Sequence, residues 1–153
     1  MMHVVLVHPQ IPGNTGSAGR TCLAAGARLH LVEPIGFSLD EARVRRAGLD
    51  YWPHVDLQVH GSWEELQEVL PAVDQGLFFT RHTTQSFLDE PPLPEEPVFV
   101  FGSETKGLPS DLLEAHWARR YSLPILSPHV RSLNLSNTVT AVVYEGLRRQ
   151  GRR

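Results

Sequence analysis

The chain has one cysteine, Cys22, among its 153 residues, so no internal disulfide can form and no cysteine pair can hold a metal. Such a chain suits a reducing, cytoplasmic setting. Long apolar runs are absent too: the stretch from Met1 to Val7 breaks at His8-Pro9, too short for a signal peptide or a membrane span. There is no basic excess, with 14 Lys and Arg against 17 Asp and Glu and a formal charge of −3. No global field marks a nucleic-acid binder, although phosphate binding depends on where cations cluster rather than on their sum. The familiar cofactor signatures are missing as well. Gly13, Gly16 and Gly19 are not spaced as G-x-G-x-x-G, and Gly102 to Gly107 lacks the Gly-Lys-Ser/Thr ending of a P-loop, which disfavours classical NAD and ATP sites. No H-E-x-x-H pair and no G-x-S-x-G elbow occurs, which argues against a zinc protease and a serine hydrolase. His3, His8, His30, His54, His60, His82, His116 and His129 read as scattered structural or surface residues, and no metal is expected.

What the chain does have is the composition of a globule, 41% hydrophobic and 20% charged, and a length suited to one domain over 1–153. Short apolar runs rich in branched residues alternate with helix-like stretches, the pattern of a parallel sheet covered by helices, hence an α/β fold. The pattern predicts strands at 3–7, 28–33, 55–59, 76–80, 97–101 and 120–125, and helices at 14–25, 40–47, 62–70, 109–115 and 134–149. Ser62 and Glu65 form a capping-box pair at the third helix, Leu66, Val69 and Leu70 its apolar stripe, and Pro71 its stop. In the last helix Leu135, Val139, Val142, Val143 and Leu147 recur at helical spacing, an apolar face that needs a partner from this chain or another. The run from Glu90 to Pro97 is too rich in proline for a helix or a central strand and reads as a stiff connector within one domain.

Three distant segments place small polar residues at strand-to-helix junctions: Asn14 to Arg20, Phe101 to Pro109, and Ser132 to Asn137. Together they predict one ligand site built from three turns. In the first, Asn14 or Thr15 caps the helix, a helix start attracts anions, and Arg20, two turns on, projects toward a phosphate or ribose. A plain cap and a solvated arginine also account for these residues. In the second, Gly102 allows close backbone approach to a ligand beyond a strand end, or makes a simple turn before a helix begun at Pro109. Glu104, if buried there, requires donors or a positive partner. In the third, Ser132, Asn134, Ser136 and Asn137 supply four polar side chains where capping needs one. The run Arg43, Arg45, Arg46, with Tyr51 and Trp52 after it, offers charge for phosphates and rings for unpaired bases, or else a solvated helix face. Arg148, Arg149, Arg152 and Arg153 leave the same choice, with a frayed terminus as the alternative.

The pattern Pro9-x-Ile11-Pro12-x-Asn14-Thr15-Gly16-x-x-x-Arg20-x-Cys22, with Leu31-Val32-Glu33-Pro34-x-Gly36-Phe37 and Arg45-Arg46-Ala47-Gly48-Leu49-Asp50-Tyr51, resembles the SPOUT-class RNA ribose 2′-O-methyltransferases. Phe101 to Pro109 and Arg131 to Asn137 through Tyr144-Glu145 agree, so the likeness runs nearly end to end. It looks most like the short, single-domain branch that methylates the wobble nucleotide of tRNA, cytidine or uridine 34. The resemblance implies a parallel-sheet α/β-knot fold with a C-terminal trefoil knot that clasps S-adenosylmethionine and releases S-adenosylhomocysteine. It also implies a homodimer in which the first and last helices meet the partner and each site draws residues from both chains. By the same likeness Gly102, Leu123, Ser132, Leu133 and Asn134, with Phe79 and Thr80 at the preceding strand end, contact the methyl donor. Arg20 corresponds to the catalytic arginine, supported by Asn14, Glu104 and Ser132. Arg43, Arg45 and Arg46 would bind RNA at the anticodon region. Arg20 is then either the base for the ribose hydroxyl or, because a guanidinium keeps its proton to above about pH 12, the group that orients the ribose and stabilises oxyanion charge. Methylation of another tRNA or ribosomal RNA nucleotide, a non-catalytic RNA-binding dimer, and a small-molecule nucleotide binder are the rival readings.

Overall fold

The computed structural model describes residues 1–40 and 50–152. The helix expected at 40–47 falls, from residue 41 on, outside the described residues, and so do Arg43, Arg45 and Arg46. In chain order the elements are β1 (His3–Val7), α1 (Pro12–Ala25), β2 (Arg28–Val32), β3 (Leu57–His60), α2 (Trp63–Val69), β4 (Leu77–Phe79), β5 (Val98–Phe101), α3 (Ser110–Ala115), β6 (Arg120–Tyr121) and α4 (Leu135–Arg149). The strands form one parallel sheet in the order β3-β2-β1-β5-β4-β6. From β1 the chain runs outward through β2 to β3, and the later strands fill the other side. The order therefore reverses between β1 and β5, and a crevice opens beside that reversal, at the carboxyl ends of β4, β5 and β6.

Both faces of the sheet are covered, which is why the central strands are unbroken apolar runs rather than alternating ones. On one face Val4, Leu6, Leu29, Leu31, Phe99 and Phe101 pack with α1 and α4; on the other Val5, Val7, Phe78 and Val100 pack with Leu66 of α2 and Leu112 of α3. The apolar stripe of α4 finds its partner inside this chain: Val139, Val142 and Val143 are wholly buried against α1 and the sheet. A partner subunit is therefore not needed to cover it. Gly146 lets this helix lie close to β5, since a Cβ there would come within 2.9 Å of Met2 Cε and 3.1 Å of the Phe99 ring. Thr21 and Thr140 hydroxyls join α1 to α4 at 2.7 Å.

Local chemistry explains most boundaries. Ser62 Oγ accepts from the Glu65 N–H at 3.2 Å, while Glu65 returns its carboxylate to the N–H of Gly61 at 2.7 Å, a capping box displaced by one residue. The first helix begins two residues earlier than expected because Pro12, with φ already near the helical value, occupies its first turn. The strand expected at 120–125 is paired only at Arg120 and Tyr121, with a bridge from Ser122 to Ser86. Pro124 has no N–H to continue it, and Leu123 and Ile125 turn instead toward the crevice. Residues 90–97 carry no helix or strand, as their prolines require.

Three histidines are not scattered. His3, His30 and His60 lie side by side across β1, β2 and β3, with Nδ1 of His3 at 2.9 Å from Nε2 of His30 and Nδ1 of His30 at 3.0 Å from Nε2 of His60. Each contact needs one N–H and one lone pair, so the tautomers are locked in a common direction. Burial, assisted by His3, His60 and Arg28, pushes the His30 pKa down to about 3. Burial also lowers the pKa of His3, with Arg28 as the next cause, and that of His60.

Candidate active site

The loop after β5 closes on itself. Ser103 and Gly107 exchange backbone hydrogen bonds at 3.1 and 3.0 Å, and Gly107 takes the left-handed conformation at φ 67°. Gly102 is the residue this closure demands: a Cβ there would sit 2.0 Å from the Gly107 carbonyl carbon. Its missing side chain makes room for its own loop, rather than only for a ligand. Two residues on, Glu104 points at the start of α1. Its carboxylate accepts the N–H of Gln10 at 3.0 Å and of Ile11 at 2.9 Å, and Thr105 Oγ1 donates to Gln10 Oε1 at 3.2 Å. The helix start does attract an anion, and that anion is Glu104. The donors it requires are backbone amides.

Because α1 starts at Pro12 and Ile11 occupies its cap position, Asn14 lies inside the first turn and does not cap. Its Oδ1 instead accepts from Nδ2 of Asn134 at 3.1 Å. Asn134 is the cap of α4, with its Oδ1 accepting from the backbone N–H groups of Ser136 at 3.0 Å and Asn137 at 3.3 Å and from the Ser136 hydroxyl at 2.6 Å. Two cross-links, Glu104 to residues 10–11 and Asn134 to Asn14, thus fasten the first helix start to the second and third segments. His8, at φ 57°, turns the chain off β1 into this junction, its N–H donating to the Val32 carbonyl at 3.0 Å.

A cleft of about 400 Å³ opens between the chain leaving β4, the glycine loop, the residues after β6 and the segment before α4. Phe79, Thr80, Gly102, Leu123, Ser132 and Leu133 all line it, and so does Glu104. Asn134 does not, being engaged in its cap. Nor does Arg20, which is exposed on α1 with its guanidinium 5.4 Å from the ring centroid of Tyr51. Tyr51 donates its hydroxyl to the Gly16 carbonyl at 3.4 Å, and the Trp52 ring fills the space a Cβ at Gly19 would need, at 2.7 Å. These two rings, expected to stack on bases, pack against α1 instead. Sequence reasoning missed the cations of the cleft, Arg81, Lys106 and Arg131, whose side chains make no hydrogen bond or ion pair among the described residues. The positions of Lys106 inside the second segment and of Arg131 next to Ser132 could have suggested two of them. Cys22 contributes nothing reactive: burial pushes its thiol up to about 12.

The cleft fits a nucleoside-type methyl donor. Its volume lies in the range of small-ligand sites, roughly 300–1,000 Å³. Phe79, Leu108, Leu123 and Leu133 give it apolar walls, the glycine loop brings backbone groups to its edge, and Lys106 and Arg131 can meet a carboxylate.

A parallel α/β sheet with its cleft at the carboxyl ends of β4, β5 and β6, closed by the segment before the last helix, defines a ligand-binding α/β domain of the methyltransferase kind. The chain belongs to the SpoU rRNA Methylase family, whose model matches residues 1–144. It is 48% identical over 153 residues, covering 99% of this chain and 97% of the relative, to the tRNA (cytidine(34)-2'-O)-methyltransferase of Burkholderia cenocepacia (strain HI2424). A solved structure described as structural insights into the 2-OH methylation of C/U34 on tRNA matches with a TM-score of 0.90 at 40% identity, covering 99% of this chain and 98% of that one. At 22% identity, a likeness of fold alone, a SpoU methyltransferase from Streptomyces viridochromogenes in complex with AdoMet matches with a TM-score of 0.84, over 99% of this chain and 58% of that one. The expected parallel α/β fold of this class is borne out.

Proposed function

We propose that this chain transfers the methyl group of S-adenosylmethionine to the ribose 2′-oxygen of the wobble nucleotide of tRNA, cytidine or uridine 34, as a cytoplasmic homodimer. The observation that carries the reading is a cleft walled by the second and third segments, with the start of the first helix fastened to both by Glu104 and by the Asn14–Asn134 pair, in a chain that resembles enzymes named for this reaction over nearly its whole length. The trefoil knot of the proposed fold would lie where residues 101–109 and 131–137 enclose that cleft.

S-adenosylmethionine supplies an electrophilic methyl group on a sulfonium, and its thioether leaves as the ribose oxygen bonds to that carbon. Phe79, Thr80, Gly102, Leu123, Ser132 and Leu133 would hold it, while Asn134, through its bond to Asn14, positions the wall they belong to. A hydroxyl is a weak nucleophile, so its proton must leave before or during attack. Arg20 is the group assigned to that oxygen, and a guanidinium acts there most readily by orienting the ribose and stabilising the developing charge. Glu104 and Asn14 fix the helix that carries it. Arg20 stands outside its own chain's cleft, which supports a site completed by the partner subunit. The chemistry invokes no metal. Arg43, Arg45 and Arg46 remain the proposed contacts to the anticodon region.

The test is incubation with labelled S-adenosylmethionine and tRNA from a strain lacking the enzyme, followed by mapping of the methylated nucleotide. Wild type should methylate the wobble ribose, and Arg20→Ala should lose roughly 10³-fold in turnover while its affinity for S-adenosylhomocysteine is kept. Full turnover by Arg20→Ala would remove that residue from the mechanism. Methylation elsewhere would reassign the substrate, and RNA binding without transfer would leave a non-catalytic binder.

A further inference from the structure

Beside the cleft lies a second, open hollow of about 740 Å³, and Arg81 and His82 line both. Its far wall is Trp117, whose surface is 65% exposed. An indole this open to water is usually free to swing, but here it is fixed. The Arg120 guanidinium sits 3.5 Å from the Trp117 ring centroid, and it is itself clamped by donating Nη1 to the His82 carbonyl at 2.8 Å and Nε to the Trp117 carbonyl at 3.1 Å. Arg120 thus ties the ring to the chain leaving β4. Of the described residues that line this hollow none is acidic, and Arg81 has no hydrogen bond or ion pair among the described residues.

A rigid aromatic ring backed by a cation, with a free guanidinium nearby, is the chemistry that takes the face of a base and its phosphate. A duplex hides its base faces, so the ligand must be unpaired. We propose that Trp117 and Arg120 form a stacking platform for an unpaired nucleotide flanking the methylated one, with Arg81 on its phosphate. The platform rests on the reading of this chain as an RNA methyltransferase. It adds to that reading a substrate contact far in sequence from the arginine run at 43–46. Sharing Arg81 and His82 with the cleft sets the platform beside the proposed methyl donor, where the neighbours of a reacting nucleotide must pass.

The experiment measures affinity for a labelled RNA hairpin with an anticodon-sized loop and for a loopless duplex, across a salt series. Trp117→Ala should weaken hairpin binding roughly ten-fold and leave duplex binding and the salt slope unchanged, and Trp117→Phe should restore most of the loss. Arg81→Gln should also weaken the hairpin but lower the salt slope by about 0.7, the signature of one single-strand phosphate contact. Unchanged affinity for S-adenosylhomocysteine shows that the Trp117 variants are folded. Hairpin binding by Trp117→Ala equal to wild type overturns the platform; so does an equal loss on hairpin and duplex, or a change in self-association alone, which assigns the ring to a protein contact. Methyl transfer by wild type is scored separately. If wild type transfers nothing while hairpin binding depends on Trp117, the catalytic reading falls and the platform stands; if transfer proceeds with an unaltered KM in Trp117→Ala, only the platform falls.

Discussion

The two wings of the sheet treat their polar groups in opposite ways. On the β1–β2–β3 wing, His3, His30 and His60 are buried and satisfy one another in a row. On the β5–β4–β6 wing, Arg81, Lys106, Arg131 and Ser132 surround a cleft with no side-chain hydrogen bond among the described residues. Buried polar groups must be paired, so the first arrangement is the mark of a scaffold. Polar groups left open around a concave surface are the mark of a site. The seam between the wings, at β1 and β5, belongs to neither. There Glu104 and the Asn14–Asn134 pair bind loop to helix, and they transmit the geometry of the open wing to the helix that carries Arg20.

The largest effect should come from charging the scaffold wing. An unfolded histidine titrates near 6.5 and folded His30 near about 3, so between these values the unfolded chain binds more protons. Stability is full above about pH 6.5 and should fall toward pH 3 by on the order of 4 kcal/mol, read from denaturant midpoints through that window. Replacing all three histidines with apolar residues of similar size should flatten the slope, and an unaltered slope in that variant would break the contrast between the wings. Next, Gly102→Ala should cost about 3 kcal/mol and abolish binding of S-adenosylhomocysteine, because its Cβ would lie 2.0 Å from Gly107. Binding at wild-type strength would show that the loop can open without harm. At the seam, Glu104→Ala should cost about 2 kcal/mol, as two amides lose a charged acceptor, and should slow methyl transfer more than it weakens cofactor binding. Equal losses in both would place Glu104 with the open wing. The smallest effect is expected at Gly19→Ala, where displacement of Trp52 opposes a gain in helix propensity and the net thermal shift should stay below about 1 kcal/mol.

The strands and helices were legible because parallel strands buried on both faces are unbroken apolar runs, and because proline and capping residues mark their ends. The convergence of three polar segments was legible for a different reason: each held more polar side chains than its local turn needed. What failed to show were relations between residues far apart in the chain. Nothing in the run of residues says that Glu104 would take the amides of Gln10 and Ile11, because backbone donors carry no side-chain signature. Trp52 read as a stacking ring because Gly19, the notch it fills, lies 33 positions earlier. Trp117 went unnoticed because Arg120, which backs its ring, is fixed by His82 in the loop after β4. The apolar stripe of α4 left open whether this chain or another covers it, because its intrachain cover, on α1 and β5, is more than thirty residues away.

The docking of α4 on α1 brings the end of the chain against its beginning, and this has a consequence for timing. The wall from Arg131 to Leu135 is held in place by a helix that follows it and by an asparagine more than a hundred residues before it. As the chain leaves the ribosome, the scaffold wing can assemble from residues close in sequence, but the cleft has no third wall until α4 has emerged. A nascent or prematurely ended chain is therefore a sheet with an unfinished cleft, and the cleft is completed in a single late step rather than by degrees.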